Sequence, residues 1–443
     1  RSRGLGDVYK RQIEYLPILV LVVSFVILLL ISVPVAWSIA ISSLLTIVVS
    51  VPLIPSLTTV SQRIATGLDS FALLAIPFFI LSGQIMNEGG IARRLISFAK
   101  TLVGFLPGGL ALINIISAML MGSIAGSAMA SASAMGSILG PEMEKEGYSK
   151  EFGVAVNITS ATTGLIIPPS NVLIVYSLAS GGVSVAALFL AGYIPGILTG
   201  LFLMMVAMIW SKKNNYKVGN RSTLKEVFIE FVNAIPSLFL LVVVVGGIII
   251  GVFTATEASA IAVLYTLILG FIYKELTIKG MPKVLLESIE TTAIVMLLIG
   301  ASMCMSWVLS FENIPQDIST FLLGISDNKI IILLIINLIL LMVGIFMDMT
   351  PAVLIFTPIF LPVVTSLGMD PTHFGIIMVL NLCIGLCTPP VGSVLFVGVG
   401  IANTTITKVI KPLIPFFLVM ILSLFLVTYI PMLSLFLPEL FGL

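Results

Sequence analysis

The chain has 443 residues, of which 59% are hydrophobic and only 9% charged, and its mean hydropathy is +1.22. Average soluble chains carry about 25% charged residues to keep their surface in water, so this composition excludes a soluble globular protein. The net charge of +1 leaves no basic stripe to neutralise phosphates and excludes a nucleic-acid partner.

Residues 1–12 lack the apolar core of a signal peptide and are read as a non-native leader. From Tyr15 onward, apolar stretches of about 20 residues recur, each long enough to cross a bilayer as a helix. The alternating pattern of a membrane β-barrel is absent. Spans are predicted near 15–32, 35–51 and 71–87, followed by an amphipathic piece near 90–103 carrying Arg93, Arg94 and Lys100. Two short apolar arms, Gly109 to Met121 and Met129 to Leu139, then enclose a tip of small residues at 122–128. This pattern predicts a re-entrant hairpin at about 108–140. A helix at about 152–179 is interrupted between Gly164 and Asn171, and a last span covers about 186–210. The basic segment 211–224 links this half to a second one at 225–437. There, spans are predicted near 237–253, 257–273 and 291–310, a hairpin near 330–363, a broken helix near 374–398 and a span near 408–430.

The two halves, 13–210 and 225–437, carry the same landmarks. Gly164-Leu165-Ile166-Ile167-Pro168-Pro169 returns as Gly385-Leu386-Cys387-Thr388-Pro389-Pro390, an offset of 221 residues. Phe152-Gly153 matches Phe374-Gly375, Pro141 and Gly147 match Pro362 and Gly368, and Pro195 matches Pro415. Each half makes five crossings, one of them broken, and one hairpin. Five is odd, so the second half must be inverted relative to the first. The resulting topology gathers fifteen basic residues on one side and leaves Arg63 and Lys329 on the other, the leader aside. By the positive-inside rule the rich side is cytoplasmic, which places both termini outside. The expected fold is an all-α polytopic membrane protein made of two inverted repeats.

Such repeats with discontinuous helices commonly build secondary transporters whose sites lie at mid-membrane. A broken helix frees carbonyl and N–H groups that lipid cannot satisfy, so breaks survive where protein or a water-filled cavity covers them. Freed carbonyls and Ser/Thr oxygens suit Na⁺, and half-helix N-termini suit carboxylates. Candidate binding residues at the first break are Thr162, Thr163, Gly164, Ser170 and Asn171. At the second they are Gly385, Thr388, Gly392 and Ser393. Backbone carbonyls near Gly164 and Gly385 are the candidate Na⁺ ligands. The first hairpin tip adds Ser123 and Ser127, and the second adds Asp348 and Thr350. Thr350-Pro351 reads as a helix cap and first helical residue. Asp348 matches Ser127 in position, and an intramembrane carboxylate is a functional candidate. The spans hold too few ionisable groups for a proton relay, which favours Na⁺ coupling.

Other residues have plainer readings. Glu257, after Thr254, reads as a structural cap at the start of a span. His373, the only histidine, is expected in a solvated outer loop. Asn157 and Asn381 suit helix–helix hydrogen bonds as well as ligand roles. Cys383 and Cys387, one turn apart, read as buried filler because no His or carboxylate stands close in sequence to complete a metal site. Trp37, Trp210 and Trp307 read as interface or packing residues.

The paired Gly-x-x-x-Pro-Pro breaks, the Gly-Ser hairpin tip and the segment Gly251-Val252-Phe253-Thr254-Ala255-Thr256-Glu257-Ala258 resemble the large membrane subunit of TRAP (tripartite ATP-independent periplasmic) transporters, over nearly the whole chain after residue 12. The resemblance implies a Na⁺-driven importer of organic acids in the bacterial inner membrane, working by an elevator motion. It also implies two partners: a small four-helix membrane subunit, expected on a separate chain, and a periplasmic substrate-binding protein. No further cofactor is expected. A stand-alone divalent-anion/Na⁺ symporter would share this architecture. A channel would need a continuous polar pore lining. An intramembrane enzyme would need a motif such as His-Glu-x-x-His, and ATP hydrolysis a Gly-x-x-x-x-Gly-Lys-Ser/Thr loop; neither motif is present.

Overall fold

Residues 2–219, 221–326 and 328–443 are described by a computed structural model; the side chains of residues 2–15, 92 and 123–125 lie outside that description, and with them those of the expected leader and of Ser123. The described residues form 20 α-helices and no strand. In the first half these are α1 (Ser2–Leu30), α2 (Val35–Ser50), α3 (Leu53–Leu68), α4 (Ala75–Glu88, preceded by a 3-10 turn at Phe71–Leu74), α5 (Ile91–Val103), the hairpin α6 (Gly109–Ala125) and α7 (Ala128–Lys145), the broken helix α8 (Lys150–Thr163) and α9 (Asn171–Ala179), and α10 (Val185–Lys213). In the second half they are α11 (Leu224–Ile249), α12 (Ala255–Ile272), α13 (Met281–Phe311), α14 (Ile314–Ile325), the hairpin α15 (Lys329–Phe346) and α16 (Met349–Ser366), the broken helix α17 (Pro371–Leu386) and α18 (Ser393–Ile401), α19 (Ile406–Tyr429) and α20 (Met432–Leu440).

Local chemistry explains where these helices start. Thr254 accepts a hydrogen bond from the Glu257 N–H at 3.2 Å while the Glu257 carboxylate accepts from the Thr254 N–H at 2.8 Å, a reciprocal cap for α12. Glu257 is thus held in the structural role expected of it. Thr223 and Glu226 cap α11 in the same way, and Ser149 and Asp370 cap the two broken helices. Within the helices, hydroxyls satisfy themselves on carbonyls one turn back. Ser43 donates to Ile39, Thr46 to Ser42 and Thr266 to Ala262, each at 2.7 or 2.8 Å.

Several features depart from the sequence expectation, helices α14 and α20 among them. Residues 53–68 form a helix, α3, where no element was expected. Its polar residues interrupt an apolar run, yet at helical spacing its apolar side packs on α13, where a Cβ on Gly67 would meet Met303 and one on Gly300 would meet Ile64. The first hairpin arms are longer than expected, so the tip shrinks to Gly126 and Ser127. His373, expected in a solvated loop, is 1% exposed, because Asp370 starts α17 early and draws His373 into its first turn.

The packing follows one pattern in both halves. The inner hairpin arm lies on the first part of its own broken helix, α6 on α8 and α15 on α17. The outer arm packs on that helix too, α7 on α8 and α16 on α17, and also crosses to the second part of the other half's broken helix, α7 to α18 and α16 to α9. Likewise α8 packs on α19, and α17 on α10. Around this unit, α4 lies against α12, and α13 against α2, α3 and α4.

Candidate functional site

Both hairpin tips and both helix breaks converge on one cavity of about 330 Å³, within the roughly 300–1,000 Å³ range of small-molecule sites. Ser127 caps α7, accepting from the Ala130 N–H at 3.3 Å. Asp348 caps α16 by backbone position, with no side-chain cap hydrogen bond, and lines the cavity. This moves the cap two residues upstream of the expected Thr350-Pro351 pair. An extended backbone at Asp348 (φ −69°, ψ 161°) lets the helix begin at Met349, and Thr350 becomes a cavity-lining residue in its first turn.

At the first break, Pro168-Pro169 is cis and α9 begins at Asn171, which lines the cavity. Asn171 packs over Gly126, where a Cβ would lie 2.1 Å from the Asn171 amide nitrogen; Gly126 also has φ 62°, so glycine is required twice over. At the second break, Pro389-Pro390 is also cis, and the Gly392 N–H donates to the Ile345 carbonyl at 3.0 Å, tying the break to the hairpin. Each inner arm touches its broken helix through a glycine pair, Gly122 with Gly164 and Gly344 with Gly385.

Several candidates are not brought to the cavity wall. Thr163 donates to Thr159 within α8, and Thr388, just past the end of α17, donates back to Ile384, at 2.9 and 2.7 Å. Thr162 donates to Thr159 at 3.0 Å and lies 3.5 Å from the Cys387 sulfur. Ser170 donates to the Leu165 carbonyl at 2.5 Å. Ser393 lies just beyond the wall, its buried hydroxyl without a hydrogen-bond partner. Gly164 and Gly385 sit behind the wall in the glycine contacts.

The opposite wall was not anticipated. It consists of α4 and α13, which contribute Gln84, Asn87 and Thr291 among apolar residues such as Ile80 and Leu298. Gln84 and Asn87 are three residues apart and so share one helix face. Polar residues at that spacing in an apolar span were the available signal.

Behind the cavity, Asn381 donates to the Asn337 side-chain and backbone oxygens at 2.7 and 3.0 Å, and Asn337 donates to Thr428 at 3.3 Å. The first half has a matching link, Ser160 to Asn114 at 3.2 Å. Cys383 and Cys387 face α8, donating to the carbonyls of Thr162 and Ile158 at 3.1 and 3.3 Å.

Electrostatically the cavity is simple. Asp348 is the only ionisable residue among its described lining residues, and no Lys, Arg or His reaches it. Positive potential comes instead from the first turns of four helices, α7, α9, α16 and α18, all of which contribute lining residues. An anion and a small cation can therefore be held together, the anion at the N–H-rich helix starts and the cation at Asp348 and nearby oxygens.

Known proteins share this chain's sequence and fold. The family profile "Tripartite ATP-independent periplasmic transporter, DctM component" matches residues 22–433. The uncharacterized protein YgiK of Salmonella typhimurium is 56% identical, covering 97% of this chain and 99% of its own length. The isethionate TRAP transporter permease protein DctMQ of Oleidesulfovibrio alaskensis is 40% identical, over 95% of this chain and 66% of its own. The C4-dicarboxylate TRAP transporter large permease protein DctM of Pseudomonas aeruginosa is 39% identical, over 92% and 95%. Among solved structures, the YdaH transporter of Alcanivorax borkumensis shares the fold, with a TM-score of 0.63 and 12% identity over 84% of this chain and 87% of that one. An all-helical chain with its helix breaks and hairpin tips gathered on one cavity, matched over nearly its whole length by permeases, is a transporter component rather than an enzyme: it belongs to the DctM component family of the tripartite ATP-independent periplasmic (TRAP) transporters.

Proposed function

We propose that the chain is the large permease subunit of a Na⁺-coupled TRAP transporter that imports small organic acids of the C4-dicarboxylate, sugar-acid or keto-acid type. The observation that carries this reading is the central cavity, where four helix starts face a single carboxylate. A carboxylate substrate neutralises the helix-start potential. Na⁺ neutralises Asp348 and offsets the substrate's charge, so each favours binding of the other. The DctM and DctMQ relatives are named for small organic anions, which suits this class.

In this reading the halves are inverted repeats, and the hairpin and broken-helix unit moves as an elevator against α4 and α13. The basic loops face the cytoplasm of a bacterial cell and both termini face the periplasm. A small four-helix membrane subunit and a periplasmic binding protein complete the transporter. The test is uptake of radiolabelled organic acids into proteoliposomes holding the chain and its small subunit, under an inward Na⁺ gradient. Uptake that needs both Na⁺ and the binding protein is expected. Uptake without the binding protein would indicate a stand-alone symporter, and indifference to Na⁺ would overturn the coupling.

A further inference from the structure

The first turns of the two broken helices differ in a way that opens a second site. Phe152 of α8 is matched by Phe374 of α17, and the residue before it is Glu151 in α8 but His373 in α17; Phe152, Phe374 and His373 are buried. Phe152 completes an aromatic stack, its ring centroid 5.9 Å from Trp210, 5.6 Å from Tyr216 and 6.0 Å from Phe416. The corresponding end of the second half holds a cavity of about 520 Å³, lined by Lys329, Asp370, His373, Thr428, Tyr429 and Leu435 among others.

The polar groups of this cavity are unequally committed. Asp370 accepts from the Thr372 and His373 N–H groups at 2.7 and 3.3 Å, so its charge sits against the start of α17. The Tyr429 hydroxyl donates to the Ile330 carbonyl at 3.1 Å. Both ring nitrogens of His373 are buried without a hydrogen-bond partner; the Thr428 backbone faces the ring but lacks the geometry of a bond. A buried polar atom left unpaired is costly, and a ligand that pairs it recovers that cost. Lys329, exposed at the start of α15, makes no ion pair among the described residues. The uncommitted groups are therefore an imidazole and an ammonium, which together suit an oxyanion. Alongside, α20 exposes Met432, Phe436 and Leu440, a strip fit for acyl chains.

We propose that this cavity, at the end of the bundle away from the basic loops, binds a phosphate group through Lys329 and His373, and that the phosphate is the headgroup of an anionic phospholipid whose chains lie along α20. The site is separate from the central cavity and does not depend on the transport reading.

The test titrates the full-length chain in detergent with short-chain phosphatidylglycerol, short-chain phosphatidylcholine and inorganic phosphate, reading the thermal unfolding midpoint. Phosphatidylglycerol is expected to raise the midpoint saturably and phosphatidylcholine not to. Lys329→Gln and His373→Phe, the latter removing both ring nitrogens, are each expected to weaken that apparent affinity about tenfold. Saturable stabilisation by inorganic phosphate as well, lost in the same variants, supports the oxyanion site and assigns it to a soluble source. No stabilisation by either anion, or stabilisation that both variants keep in full, overturns the proposal. Lys329→Gln changes an exposed side chain, so it decides the matter alone if His373→Phe does not fold.

Discussion

Gly385 of the second broken helix lies so close to Gly344 of the second hairpin that a Cβ on Gly385 would stand 2.5 Å from the Gly344 Cα. Gly164 and Gly122 repeat the contact in the first half, with a Cβ on Gly164 2.7 Å from the Gly122 Cα. Each hairpin is thus seated on its break by backbone against backbone, with no side chain between them. Small residues permit this approach in membrane helices, where packing rather than hydrophobic burial drives association.

These contacts predict an overpacking penalty. Gly164→Ala and Gly385→Ala should each destabilise the chain by about 1–3 kcal/mol and lower uptake by displacing a hairpin tip. Gly246→Ala, with nothing within 4 Å of its Cβ position, should be neutral or slightly stabilising. Thermal unfolding in detergent compares the three.

Asp348 and Ser127 occupy matching cap positions but should separate on mutation. Ser127 accepts a hydrogen bond from the Ala130 N–H, so Ser127→Ala should cost about 1 kcal/mol of stability. Asp348 makes no such bond. Asp348→Asn should leave stability within about 0.5 kcal/mol while reducing Na⁺-stimulated uptake about tenfold or more, as expected on losing an intramembrane charge with a functional role. Equal stability losses in the two variants would argue that Asp348 is merely a cap.

The wall formed by α4 predicts a change in selectivity. Gln84→Leu and Asn87→Leu remove the polar side chains that face the hairpin tips. Each should raise the substrate KM by about tenfold, the worth of about one hydrogen bond to a charged group, while leaving the Na⁺ concentration for half-activation unchanged. Competition assays with acids of different chain length would show which end of the substrate meets this wall.

The Asn381–Asn337–Thr428 chain predicts a stability effect remote from the cavity. Asn381→Leu leaves Asn337 without the 2.7 Å donor to its side-chain oxygen and should cost about 1–2 kcal/mol. Adding both Asn337→Leu and Thr428→Val should recover part of that loss, because the whole chain of polar side chains is then removed.

Much of the architecture was legible in the chain because its strongest signals are local. Proline cannot continue a helix hydrogen bond, so the two Pro-Pro pairs marked both breaks, and the small residues before Met129 marked the first hairpin tip. Thr254 and Glu257 declared a cap by their spacing alone. Other features needed tertiary context. The Ser and Thr residues of α3 made an amphipathic helix look like a loop until α13 was placed beneath it. Thr163 and Thr388 resembled ligands, but a hydroxyl in or just after a helix satisfies itself on the preceding turn as readily as on an ion. Gln84, Asn87 and Thr291 carry no motif; only the folding of α4 and α13 against the hairpin tips gives them a role. His373 was misplaced because one histidine beside Asp370 and Pro371 reads as a loop when the cap is not recognised.

The central claim, that anion and Na⁺ bind together between the hairpin tips and α4, is tested most directly by thiol protection. Cys304, Cys383 and Cys387 are buried, so Met129→Cys, at a residue that lines the cavity and is 38% exposed, supplies one reactive thiol. With substrate at ten times its Kd, alkylation of that thiol should slow about tenfold, as occupancy requires, and only when Na⁺ is also present. An alkylation rate unchanged by substrate and Na⁺ together would contradict the account.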